Sequence, residues 1–275
     1  MLGAIAGDII GSVYEFDRHK RKDFPLFTSQ SAFTDDSILS VAVAEAILRG
    51  GCYGESIKRY AQRYPNPMGG YGARFSQWAF SQLAESASMK PYNSWGNGSA
   101  MRVSPVGFAF DVMEDVLTAA RQTAEVTHNH PEGIKGAQAT AACILLAKQG
   151  KSKSAIKDFI ESRFGYNLSR SVEDIRPTYS FNESCQETVP ESIVAFLDST
   201  DFEDAIRNTI SLGGDTDTMG AITGAIAEAF YGGVPDAIAQ EALSRLDEPL
   251  RTIALEFCDR YTPDYHYSSI SKTTC

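Results

Sequence analysis

One pattern recurs along this chain: a polar residue or proline, then an alanine- and leucine-rich stretch with apolar residues at i, i+3 and i+4, then glycine or proline. It is legible in "SILSVAVAEAILRGG" (37–51) and "PEGIKGAQATAACILLAKQG" (131–150). The same pattern covers 54–64, 74–87, 111–126, 154–164, 190–199, 201–212, 235–246 and 248–261. Period-two alternation, the mark of a strand, occurs only in scraps such as "TYSF" (178–181). The spacing predicts an all-α protein, a bundle of roughly ten or more helices. No repeat or linker divides it, so we expect a single domain over 1–262 and a polar C-terminal tail over 263–275. The irregular stretches are 17–33, 64–73, 88–110 and 164–189. Loops of that length in a compact domain often carry function.

Charge narrows the partners. Among 275 residues, 25 Lys and Arg face 35 Asp and Glu, a net charge of −10. Such a surface repels nucleic acid and anionic membranes. No apolar run reaches the ~20 residues that span a bilayer. We therefore expect no nucleic-acid or membrane partner, and a monomer. The one dense cationic run, Arg18–Lys22 ("RHKRK"), reads as a solvated loop. The N-terminal stretch lacks a basic segment and meets Asp8 early, unlike a secretory signal. Five scattered cysteines without a CxxC spacing suggest neither disulfides nor zinc, and a cytoplasmic location. An anionic ligand of so acidic a chain must be met by metal ions, helix ends or a few placed cations.

"LGGDTDTMG" (212–220) stands before an apolar run, and "TDDS" (34–37) stands before another. A helix start needs one oxygen-bearing cap, not four such residues in a row. Carboxylates flanked by hydroxyls suit a hard divalent cation. Two such clusters brought into one pocket repel each other unless cations hold them. Asp8 and Glu15 in "GDIIGSVYE" offer further oxygens. "NSWGNGSAMR" (93–102) has the glycines of a tight turn whose amides can face an anion. His128 and His130 in "THNHPEG" precede a helix start that favours phosphate.

Taken in order, "GDIIGSVYE", "TDDS", "GNGSAMR", "TH" before a helix and "LGGDTDTMG" resemble the ADP-ribosylglycohydrolase family over about 1–260. The resemblance implies an all-α orthogonal bundle with a binuclear centre of two Mg²⁺ or Mn²⁺ ions. It implies metal ligands at Thr34, Asp35, Asp36, Asp215, Asp217 and Thr218, and catalytic carboxylates among Glu15, Asp35 and Asp36. It also implies that Ser94, Trp95, Gly96, Asn97 and Gly98 bind the diphosphate and distal ribose, with His128 near the nucleotide. Trp95 stands where some relatives have tyrosine. The implied reaction is hydrolysis at C1 of the distal ribose of ADP-ribosylated arginine, serine or a small compound, with release of ADP-ribose.

Two alternatives belong to other classes. An all-α Mg²⁺-dependent diphosphate enzyme or phosphohydrolase needs a DDxxD or an adjacent His–Asp pair. "TDDSI" lacks the last acid, and none of the four histidines precedes aspartate. A non-catalytic ADP-ribose-binding protein is marked by loss of a metal aspartate, and Asp35, Asp36, Asp215 and Asp217 are all present.

Overall fold

The computed structural model describes residues 1–81, 90–265 and 267. Among them every regular element is helical, and the only extended pairings are isolated bridges joining Thr34 to Met68 and Gly96 to Ser184. In chain order come α1 (Leu2–Gly11), α2 (Asp35–Arg49), α3 (Tyr53–Arg63), α4 (Ala73–Ala79) and α5 (Gly98–Met101). Then follow α6 (Ser104–Ala109), α7 (Met113–Glu125), α8 (Pro131–Lys148), α9 (Lys153–Phe164) and α10 (Val172–Ile175). The chain continues through α11 (Cys185–Leu197), α12 (Phe202–Ile210), α13 (Thr216–Tyr231), α14 (Asp236–Arg245) and α15 (Glu248–Tyr261) to a 3₁₀ turn at Pro263–Tyr265. This is the all-α architecture that the spacing predicts.

Three departures have local causes. The helix expected over 74–87 runs as α4 to Ala79, and 82–89 lie outside the described residues, as does most of the expected tail. The helix expected to open at Pro190 opens at Cys185, because the Ser184 side chain caps it by accepting from the Glu187 N–H. Pro190 removes one bond, to the carbonyl of exposed Gln186, which water can take over. The third is α1, which is buried along its whole length and apolar but for Asp8. A helix hydrophobic on every face carries no amphipathic period to detect.

α1 lies along α13, and glycine makes the contact. Gly3, Gly7 and Gly11 stack on one side of α1 because they are four residues apart. A Cβ on them would fall 2.2, 1.9 and 2.2 Å from the carbonyl oxygens of Gly224, Gly220 and Thr216. In reverse, a Cβ on Gly220 or Gly224 would fall 2.4 or 2.1 Å from the carbonyl oxygens of Gly7 and Gly3. The pairing 3–224, 7–220, 11–216 is antiparallel, with backbone against backbone. At one end of this seam the buried Glu228 carboxylate accepts from the Met1 amine (2.5 Å), the Gly3 N–H (2.8 Å) and the Tyr267 hydroxyl (3.1 Å). A buried carboxylate needs that company. α8, α11 and α12 pack on the other faces of α13.

The run Arg18–Lys22 is only in part the solvated loop its charge suggests: Arg18 and Arg21 are exposed, but Lys20 and Lys22 are tied down. Lys20 donates to the carbonyls of Tyr179 (2.6 Å) and Leu212, and Lys22 pairs with Asp204. Arg207 on α12 donates back to the carbonyls of Lys22 (2.9 Å) and Phe24 (2.8 Å). These cations tie the segment along α12, Lys22 at its first turn and Lys20 just past its C-terminal end, where unpaired carbonyls attract positive charge.

Candidate active site

The seam sets the site, since α1 and α13 bring Asp8 and Asp217 together. Asp8, Asp36 and Asp217 each place a carboxylate oxygen within 4.8 Å of the others, and Glu15, Asp215 and Asp217 form a second such trio. Asp217 belongs to both. Asp8 fastens α1 to the start of α2. Its carboxylate accepts from the Thr34 N–H (3.1 Å) and hydroxyl (2.7 Å), from the Ser37 N–H (3.1 Å), and from the Ser37 hydroxyl. Thr34 is the cap of α2 and accepts from the Asp36 N–H. Capping therefore accounts for Thr34 but not for the α13 cluster. Asp215, at the cap position of α13, makes no capping bond, and its carboxylate accepts instead from the Asn97 amide at 2.7 Å.

The glycine pair ahead of this cluster is packed from outside. Gly213 has φ +63°, and a Cβ there would lie 2.6 Å from the His19 carbonyl oxygen. A Cβ on Gly214 would meet the Tyr179 ring at 2.4 Å. The segment pinned by Lys20 thus presses the Gly213–Gly214 turn into place and aims Asp215.

Electrostatically the cluster is incomplete by itself. Burial and the Asp217 carboxylate push the Asp8 carboxyl up to about 7. Burial, Asp217, Glu183 and Asp8 push Glu15 up to about 8. Asp35, Asp36 and Asp215 are raised well above the usual carboxylate range, first by burial and then by Asp217. Asp36 Oδ1 is buried without a hydrogen-bond partner. Carboxylates crowded this way either hold protons or gather round a cation. All-oxygen donors, an orphaned buried carboxylate oxygen and two trios sharing Asp217 fit hard divalent ions.

A cleft of about 550 Å³ opens over the cluster. Glu15, Asp35, Asp36, Asp215, Asp217 and Thr218 line one part of it, and Ser94, Gly96, Asn97, Gly98 and His128 line another. Two expected residues lie elsewhere: Thr34 sits behind the wall between Asp8 and Asp36, and Trp95 points away, 50% exposed. The glycine turn offers fewer free amides than its sequence suggests, because the Gly96 N–H donates to Ser94 Oγ (3.1 Å) and the Asn97 N–H to the Glu183 carbonyl (2.8 Å). Asn97 also links the turn to Asp215. His128 is buried, its Nδ1 2.7 Å from the Thr127 hydroxyl. Burial, then Arg102 and Arg74, hold it well below the usual histidine range, hence neutral. His130 is an N-cap, accepting from the Glu132 N–H.

Arg102 comes from the "GNGSAMR" motif, and the other remaining lining residues carry none. Arg102, fully buried, donates to the Thr123 carbonyl (2.9 Å) and the Thr127 hydroxyl (2.8 Å), bracing the turn before His128. Arg74 lies over the Tyr92 ring at 5.0 Å, and Tyr92 stands 6.0 Å from the His128 ring. Gly69–Gly72, from the irregular stretch 64–73, and Phe181 and Glu183, from 164–189, also line the cleft. Loop length was the only signal for these.

Comparison with known proteins gives the family and the fold. A family model described as ADP-ribosylglycohydrolase matches residues 1–267. The chain is 29% identical to "ADP-ribosylhydrolase ARH3" of Bos taurus and 27% identical to that of Homo sapiens, each alignment covering 84% of both chains. It is 23% identical to "ADP-ribosylarginine hydrolase Tri1" of Pseudomonas putida (strain GB-1), over 94% of this chain and 77% of that one. A solved structure titled "ADP-ribosylglycohydrolase-related protein complex" superposes with a TM-score of 0.69 at 25% identity, over 93% of this chain and 95% of that chain. The chain belongs to the ADP-ribosylglycohydrolase family.

Proposed function

We propose that this member of the ADP-ribosylglycohydrolase family is a divalent-cation-dependent hydrolase that cleaves the glycosidic bond at C1 of the distal ribose of ADP-ribosyl groups, releasing ADP-ribose. The observation that carries the reading is the meeting of two carboxylate trios through Asp217 at the floor of the cleft that the glycine turn also lines. Asp36, Asp215 and Asp217 would hold the ions, with Asp35 and Thr218 the further ligands that line the cleft and that family resemblance supplies, while Thr34 braces Asp8 and Asp36 from behind. When bound, two Mg²⁺ or Mn²⁺ ions offset the carboxylate charge and supply Lewis acidity toward the sugar hydroxyls and the attacking water.

The chain's own residues do the rest. Ser94, Gly96, Asn97, Gly98 and neutral His128 form the wall that positions the ADP-ribose, and Arg74 and Arg102 line the same cleft. In the reaction a water oxygen bonds to C1, the bond from C1 to the departing heteroatom breaks with its electron pair, and that atom takes a proton. The transition state is oxocarbenium-like, and a positioned carboxylate assists the proton transfer. Asp35 lines the cleft beside the trios and is one candidate for that carboxylate. Glu15 and Asp36 are the other candidates.

The test is release of free ADP-ribose from ADP-ribosyl peptides with Mg²⁺, with Mn²⁺ and with EDTA. We expect release that EDTA abolishes. Release of phosphate instead assigns a phosphohydrolase, and ADP-ribose binding by calorimetry without turnover assigns a binding protein.

A further inference from the structure

The residues beside Glu15 bear on which group leaves. The Phe16 and Phe181 rings stack at 6.2 Å between centroids with 26° between planes, and both line the cleft. They are 76% and 42% exposed, so two large apolar rings face water at the rim of a polar cleft. The chain reaches this point by alternation. Phe181 and Glu183 line the cleft, while Tyr179, Ser180 and Asn182 line a separate pocket of about 190 Å³. Glu183 is exposed, and its carboxylate has no ion-pair or hydrogen-bond partner among the described residues. It lies close enough to Glu15 to press on that carboxyl.

Four of the nearby cations have partners within the protein, and Arg18, two residues from Phe16, is exposed. Arg74 covers Tyr92, and Arg102 is held by Thr123 and Thr127. Lys20 and Lys22 are bound to the carbonyls of Tyr179 and Leu212 and to Asp204. The patch of Phe16, Phe181 and Glu183 is thus flat, aromatic and negative.

We propose that Phe16, Phe181 and Glu183 form the leaving-group subsite and select a guanidinium, so that the substrates are ADP-ribosyl groups on arginine-type side chains. This rests on the hydrolase reading above. A guanidinium is planar, cationic and weakly hydrated, stacks on aromatic faces and forks to a carboxylate. A seryl oxygen brings neither charge nor a flat face and leaves both rings wet. An adenine base is flat but uncharged, so it can give Glu183 a hydrogen bond from its amino group but no ion pair. Phe16 also follows Glu15, a member of a carboxylate trio, which places the rings beside the end of the cleft where C1 must sit. In the step, the water oxygen bonds to C1 and the C1–N bond breaks with its electron pair passing to nitrogen. The water's proton ends there, so the departing guanidinium keeps its charge.

The experiment compares kcat/KM for ADP-ribose release from an arginine-linked and a serine-linked ADP-ribosyl peptide, with Mg²⁺ or Mn²⁺. It uses the same preparations of wild type, Glu183→Gln and the double variant Phe16→Leu/Phe181→Leu. The ratio of the two rates cancels any change in the folded fraction. We expect the wild type to favour arginine at least tenfold, and each variant to lower that ratio by about tenfold, the order of one cation–π or charge-assisted contact. A wild-type preference for serine, or a ratio that neither variant moves, overturns the subsite while leaving the hydrolase standing. No release from either peptide by the wild type overturns the hydrolase reading itself.

Discussion

A methyl group added to Gly7 would lie 1.9 Å from the Gly220 carbonyl oxygen, whereas one added to Gly98 meets nothing nearer than His128 Nε2 at 3.2 Å. Both glycines stand beside the same site. In the α1–α13 seam the space is already filled by the backbone of another helix, which cannot yield. At the Ser94–Gly98 turn the neighbour is an imidazole edge, and the open side is the cleft. Glycine in the seam admits a second helix backbone, and glycine in the turn leaves the cleft open. The rigid region is what makes the reactive one possible. Asp8 and Asp217 repel each other, and only a contact as tight as the seam holds their helices at that spacing.

The largest effect should come from the carboxylates. Asp36→Asn or Asp217→Asn should lower ADP-ribose release by about a thousandfold or more, the several kcal/mol that metal chemistry contributes. Circular dichroism should show helical content unchanged, because the seam does not depend on either side chain's charge. Retained activity in both would break the assignment of this floor to catalysis.

Next comes the seam. Gly7→Ala should destabilise the fold by about 3 kcal/mol, the upper end for overpacking, since backbone must move. Differential scanning calorimetry should show a fall in Tm of roughly 10 °C. A shift of under a degree would mean that the helices separate freely, and the contrast drawn here would fail.

A third test joins the two regions through pH. Asp8 and Glu15 titrate near 7 and 8 in the metal-free fold, against about 4 for unfolded carboxylates. The folded state therefore keeps protons that the unfolded state has lost. Stability is present at low pH and is lost as pH rises from about 4 through 7 and 8. In EDTA, Tm should fall between pH 5 and pH 8, and Mg²⁺ or Mn²⁺ should restore more of it at pH 8 than at pH 5. A metal-free Tm that rises over this range, or a metal effect equal at both ends, contradicts the coupled cluster.

The smallest effect belongs to the turn. Gly98→Ala should raise KM by a few-fold while moving Tm by only about a degree, because the His128 edge needs to give by only a few tenths of an ångström. A loss of stability as large as that of Gly7→Ala would erase the distinction between the two kinds of glycine.

Much of this was legible in the chain. The helices with one apolar face show in the spacing, and "TDDS" and "LGGDTDTMG" stand out because a cap needs one oxygen-bearing side chain and four are present. The family resemblance added the roles of Ser94–Gly98 and His128. α1 was not legible, because a helix buried on all sides has no periodicity. Nor was the use of "RHKRK" as an internal tie, since its partners, Tyr179, Asp204 and Leu212, lie far along the chain. Phe16, Phe181 and Glu183 carry no motif and become a group only where two loops meet.

The sequence by itself determined the all-α class, the two acidic clusters and the glycines, because these follow from local spacing and side-chain chemistry. Tertiary structure alone decided that Asp8 would brace α2, that Asp217 would belong to two trios, and that aromatic rings would border them. Those facts depend on which backbones can approach to van der Waals contact across more than two hundred residues of chain, and no local pattern records that distance.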